Sequence, residues 1–153
     1  MKKIDLNCDM GESYGAWKMG ADAEVMPFIT SANIACGFHG GDPATIRKTV
    51  RLALDRGVAV GAHPSLPDLM GFGRRAMRIS PQEMYDLVVY QAGAVEAFAR
   101  AAGVKLHHVK CHGALYNMAV NDEALSEAMV RAVKDLGSGV ILYVLSGTKS
   151  LEI

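Results

Sequence analysis

SANIACGFHGGDPATIRKTVRLALDRGVAVGAH, residues 31–63, is the stretch on which the fold turns. Ser31-Ala32-Asn33-Ile34-Ala35-Cys36-Gly37 is a strand-like apolar run. Asp42-Pro43 then supplies a side-chain cap followed by a proline at the first helical position. Ile46, Val50, Ala53 and Leu54 recur at helical spacing, Gly57 stops the helix, and Val58–Ala62 forms a second apolar run. A strand, a helix and another strand joined this closely form a parallel pair with a crossover helix.

The same alternation extends both ways. A strand is predicted over residues 2–9 and a short helix around Ala23–Ile29. Ser80-Pro81-Gln82-Glu83 is a capping box, so a helix starts there and carries Met84, Leu87, Val88, Gln91, Val95 and Phe98 inward as far as Gly103. A fourth strand spans 104–112, a helix capped by Asn121 runs to Gly137, and a fifth strand spans 140–145. The segment from Pro64 to Ile79 is too long for an ordinary connection, and such loops often serve as functional lids. Five parallel strands fit either an open doubly wound sheet or the first part of a β/α barrel, and pattern alone does not separate them.

Composition narrows the function. The 153 residues are 50% hydrophobic, with 16 Lys plus Arg against 16 Asp plus Glu. The balance gives no basic surface for nucleic acid. No run reaches the roughly 18 apolar residues of a membrane span, and no signal peptide is read at the start, so the expected compartment is the cytoplasm. Cys8, Cys36 and Cys111 are odd in number and widely spaced, which argues for small buried hydrophobes over a disulfide framework or zinc knuckle.

Ionisable residues follow four successive strands at the same end, where parallel strands form the floor of an active site. In Asp5-Leu6-Asn7-Cys8-Asp9-Met10-Gly11-Glu12, alternation sets Asp5, Asn7 and Asp9 on one face, and Asp9 and Glu12 either bind a ligand or cap the next turn. Asn33 lies in the second strand. His39, between glycines and beside Gly40 and Gly41, has few neighbours to bury it, and these glycines let the backbone approach a ligand. Asp42 reads as a helix cap. His63 ends the third strand, and Arg74 and Arg75 offer guanidiniums to a carboxylate or phosphate. Lys110 and His112 share a face with His108, and a lysine on an inward strand face can stabilise developing negative charge. His107 and His108 read as packing or surface residues. The Gly-Lys-Ser/Thr ending of a phosphate-binding loop is absent.

Together DLNCDMGE, SANIACGFHGGDP, GAHPS with GFGRR, and VKCHGALYN, in this order, closely resemble the LamB/YcsF family of 5-oxoprolinase A subunits, over nearly all of residues 3–145. The resemblance implies an α/β fold: a seven-stranded parallel β/α barrel-like domain of the glycoside hydrolase/deacetylase type, here incomplete, with about five strands in one unit over 1–153. It implies a hydrolase that opens the cyclic amide of 5-oxoproline to L-glutamate while hydrolysing ATP, working with subunits B and C. ATP is then a co-substrate held mainly by those partners, and a homo-oligomer is expected. The implied catalytic set is Asp9, His39, His63, Lys110 and His112: Lys110 and the glycine-loop N–H groups hold the oxyanion, one of Asp9, His39 or His63 activates water, and His112 protonates the leaving nitrogen. The implied substrate-binding set is Asp5, Asn7, Glu12, Asn33, Gly40, Gly41 and Arg74. Two departures stand out: Cys111 replaces a family proline, and the chain is shorter than the about 250 residues of a closed barrel. The alternatives are a metal-dependent deacetylase or amidohydrolase, with Asp9, His39 and His63 as ligands of a divalent ion, and an inactive truncated remnant.

Overall fold

The computed structural model describes residues 3–153. Its sheet contains β1 (Asn7–Met10), β2 (Ser31–Ala35), β3 (Ala59–His63), β4 (His108–Val109) and β5 (Ile141–Leu142). The strands are hydrogen-bonded in chain order and every pair is parallel. That order separates the two architectures. A doubly wound sheet reverses its strand order at a switch point and carries helices on both faces. Strands added one after another through right-handed crossovers keep the helices on one face, as a β/α barrel does. The chain is therefore an arc of a parallel β/α barrel.

The helices are α1 (Asp22–Val25), continued by a 3-10 turn at Met26–Phe28, then α2 (Pro43–Asp55), α3 (Pro81–Ala101), α4 (Gly113–Asn121) and α5 (Glu123–Asp135). A further 3-10 turn spans Lys149–Leu151. Asp42 caps α2 through bonds from the Ala44 and Thr45 amides, both 2.9 Å. Ser80 and Glu83 form the reciprocal capping box of α3. The helix-facing side of the sheet places Ala32, Ile34, Val60, Ala62 and Val109 in one buried cluster with Ile46, Val50, Met84, Val88 and Met129. Each large aliphatic side chain buried there contributes about 1.5–3 kcal/mol. The opposite face is polar, with Asn7, Asp9, Ser31, Asn33, His63 and His108 joined by hydrogen bonds.

Several boundaries differ from the sequence-based expectation. The strand predicted over 2–9 is Asn7–Met10, with Lys2 outside the described residues, and the one over 31–37 ends at Ala35. The fourth strand shrinks from 104–112 to His108–Val109, and the fifth from 140–145 to Ile141–Leu142. Beyond Val109 the chain leaves the sheet, and the His112 amide bonds the Pro64 carbonyl at 2.8 Å in the connecting loop. Helix α4 begins at once at Gly113, too soon after a strand motif for its short apolar stripe to show as a separate element. Asn121 is the last residue of α4, and Asp122 is the cap of α5, accepting from the Leu125 amide at 3.1 Å. Cys8, Cys36 and Cys111 are free thiols, and burial pushes Cys111 up to about 12. Among the described residues, no helix is long and apolar enough to cross a membrane.

Candidate active site

Asn33, fully buried in β2, organises the polar face. Its Oδ1 accepts from Asn7 Nδ2 at 3.0 Å and His108 Nε2 at 2.7 Å. Its Nδ2 donates to Asn7 Oδ1 at 2.6 Å and Asp9 Oδ1 at 2.7 Å. Every hydrogen-bonding valence of that amide is used, which fixes its orientation. His108 crosses from β4 to reach β2 because the intervening residue is Gly61, where a Cβ would lie 2.1 Å from the His108 ring. Burial, and then the neighbouring His107, push His108 down to about 4, so it serves as a neutral donor.

Above this layer, at the carboxyl ends of the strands, Lys110 Nζ donates to Asp9 Oδ1 at 2.9 Å, joining β4 to β1. Asp9 Oδ2 lies 3.3 Å from His63 Nε2. Burial would raise the Asp9 carboxyl. Its contacts with His63, Lys110 and Asn33 outweigh that and hold it far below the usual carboxylate range. His39 Nε2 sits 3.2 Å from Glu12 Oε1, and its ring stacks on His112 with centroids 3.8 Å apart. His112 Nδ1 faces His63 Nε2 at 3.0 Å. Burial, reinforced by His39 and His63, pushes His112 down to about 4, and burial also lowers His39.

Two backbone carbonyls orient the inner imidazoles. His63 Nδ1 donates to the Lys110 carbonyl at 2.6 Å, and His112 Nε2 donates to the Phe72 carbonyl at 2.9 Å. Phe72 has a positive φ of 55°, a conformation uncommon away from glycine. The following Gly73 (φ 65°) lies so close to the site that a Cβ there would be 2.1 Å from Ser65 Oγ and 3.0 Å from His112 Cδ2. The loop 64–79 therefore packs into the site as a strut. Gln91 of α3 anchors it, accepting from the Ser65 amide at 2.9 Å and donating to the Ser65 carbonyl at 2.8 Å.

A cleft of about 370 Å³ opens beside these groups, lined by Asp9, His63, Arg74, Lys110, His112 and Tyr116. The structure thus brings Asp9, His63, Lys110, His112 and Arg74 to one cleft, with His39 and Glu12 packed behind His112. Arg75 turns away to pair with Asp68. Asp5, at the amino end of the sheet, is taken up by Thr30, Ser31 and Tyr143. Asn7 and Asn33 lie in the layer beneath. Gly40 and Gly41 pack on the protein's own backbone: a Cβ at Gly40 would meet the Glu12 carbonyl oxygen at 2.8 Å, and one at Gly41 the Ala35 carbonyl oxygen at 2.8 Å. Sequence reasoning missed the part Phe72 plays, took Gln91 only as part of the inner face of its helix, and read His108 as a packing or surface residue although it shares a face with Lys110. The Gly61–His108 pairing across neighbouring strands is the one of these with a signal that strand alignment alone can find.

The donor set for a cation also differs from the one read in the sequence. Glu12, His39, His63 and His112 each offer a ligand atom, and these atoms all lie within 4.8 Å of one another. Three imidazoles and a carboxylate suit a borderline divalent ion such as zinc.

The sequence motifs at these positions match the LamB/YcsF family model over residues 4–153. The chain belongs to the LamB/YcsF family. Among similar LamB/YcsF proteins, one from Bordetella pertussis, named as the A subunit of 5-oxoprolinase, is 66% identical over 149 residues, covering 97% of this chain and 59% of that protein. A protein of the same name from Tolumonas auensis is 60% identical over 152 residues, covering 99% of this chain and 61% of that protein. The crystal structure of a lactam utilization protein from Thermus thermophilus superposes with a TM-score of 0.96 at 56% identity, covering 99% of this chain and 61% of that one. The chain thus spans about three fifths of the length of these relatives.

Proposed function

We propose that this chain carries the lactam-opening site of a 5-oxoprolinase, acting as its A component to convert 5-oxoproline to L-glutamate with ATP hydrolysis. The observation that carries this reading is the Asp9–Lys110 pair beside His63 and His112 in a cleft sized for a small molecule. Relatives named as the A subunit of 5-oxoprolinase supply the substrate class. Subunits B and C are the proposed partners and bear the nucleotide, since no phosphate-binding loop is read here.

Lactam hydrolysis needs a base for water, a cation for the developing oxyanion and a proton for the departing nitrogen. Lys110 leans on Asp9 in the resting site. When the ammonium turns to the substrate carbonyl oxygen, where the oxyanion will develop, Asp9 loses one of the groups that keep it weakly basic. It then takes a proton from water as the water oxygen bonds to the carbonyl carbon. As the carbon–nitrogen bond breaks, Asp9 returns the proton to nitrogen. Arg74, exposed at the rim with its guanidinium 5.5 Å from the Phe72 ring centroid, is placed to bind the substrate carboxylate.

The test is ATP-dependent glutamate release from 5-oxoproline by the chain together with subunits B and C. Omitting this chain should abolish release, and release that persists without it would refute the reading.

A further inference from the structure

The buried imidazoles behind the cleft hold an arrangement that protons alone do not satisfy. His63 gives its Nδ1 proton to one backbone carbonyl and His112 gives its Nε2 proton to another, at 2.6 and 2.9 Å. Those carbonyls can only accept, so each ring is set as a donor on its outer side. The inner nitrogens, His63 Nε2 and His112 Nδ1, then face each other with lone pairs 3.0 Å apart. Two carboxyl groups point at the same spot. Glu12 Oε1 is 3.8 Å from His112 Nδ1, and Asp9 Oδ2 is 3.3 Å from His63 Nε2. His39 brings a third imidazole within 3.2 Å of Glu12, and its Nδ1 is buried with no hydrogen-bond partner among the described residues.

We infer that Glu12, His39, His63 and His112 form a binding site for a divalent transition-metal ion of the zinc type. A shared proton would satisfy one lone-pair contact and leave the others opposed, whereas a dication answers all four donors together. The 3.0 Å spacing of the two inner nitrogens is a few tenths of an ångström short of the about 3.3–3.4 Å that two tetrahedral ligands at about 2.0–2.1 Å from one ion span, so a small outward shift of the rings admits the ion. The carbonyls behind His63 and His112 are the outer partners that usually orient metal-bound imidazoles. Asp9 stands beside this set, its Oδ1 already held by Lys110 and Asn33, and so remains with the cleft chemistry. The site does not depend on the lactam reading, and its test needs no substrate.

The 153-residue chain is stripped with a chelator, dialysed against zinc or cobalt(II), and assayed for metal per chain by elemental analysis and for cobalt absorption in the visible. One equivalent per chain is expected, with a cobalt spectrum of mixed nitrogen and oxygen ligation. Glu12→Gln, which keeps the side-chain shape, and His39→Ala should each weaken zinc binding at least about tenfold, with far-UV circular dichroism confirming the fold. His107→Ala, at an exposed histidine outside the cluster, should bind like the parent. A chain that retains no zinc, or one whose retention is the same in Glu12→Gln, His39→Ala and the parent, overturns the inference.

Discussion

Removing the Lys110 ammonium should harm catalysis far more than folding. Lys110→Met keeps the aliphatic stem while deleting the cation, and loss of one group that stabilises an oxyanion costs about 10²–10³ in turnover. In the reconstituted 5-oxoproline assay we expect that drop, with the unfolding midpoint lowered only modestly by loss of the partly exposed pair with Asp9. Near-normal turnover would remove Lys110 from the chemistry. Gly61 shows the reverse pattern, because its role is space. Gly61→Ala drives a methyl into the His108 ring and should destabilise the chain by about 1–3 kcal/mol, measured by denaturant unfolding. An unchanged midpoint would show that His108 has another place to go.

Helix ends and loop anchors carry separable amounts of stability. Asp122 accepts from the Leu125 amide and Asn121 makes no such cap, so Asp122→Ala should cost about 1 kcal/mol and Asn121→Ala much less. Equal costs would contradict the assigned boundary. Gln91→Leu leaves the buried Ser65 amide and carbonyl without their partner, and about 1–3 kcal/mol should be lost together with protection of the 64–79 loop in hydrogen exchange. At this scale the sequence is readable wherever a local rule operates. Asp42-Pro43 and Ser80-Pro81-Gln82-Glu83 announce helix starts by their own side chains, and both helices begin where the caps say. Helix α4 is hidden because Gly113 follows directly on the residues that leave the sheet. The extents of β4 and β5 depend on neighbouring strands, which no local pattern encodes. Within the site, residue types and strand ends point to Asp9, His39, His63, Lys110 and His112. The closeness of Glu12 to His112 and the Phe72 carbonyl behind it come from how two loops pack, and only coordinates show that.

Across the molecule, acid should loosen the fold in stages. His108 has a folded-state value near 4 against 6.5 for the ordinary side chain, so the unfolded chain binds the proton more readily. The stability it contributes is complete above pH 6.5 and is lost as pH falls toward 4, because protonation favours the unfolded state. Asp9, held low in the fold, contributes stability above the ordinary carboxylate value and loses it at still lower pH. Denaturation midpoints measured from about pH 7.5 to 4 should therefore fall, and His108→Gln should flatten the profile between 6.5 and 4; an unaltered slope would mean that other groups govern it. The order in which the strands pair has a consequence for biosynthesis. Each strand lies beside the one made just before it, so the sheet can grow in step with translation, one crossover at a time. The link from Asp9 to Lys110 spans 101 positions along the chain. A nascent chain thus gains most of its scaffold first, and the Asp9–Lys110 pair closes only after the fourth strand has emerged and docked.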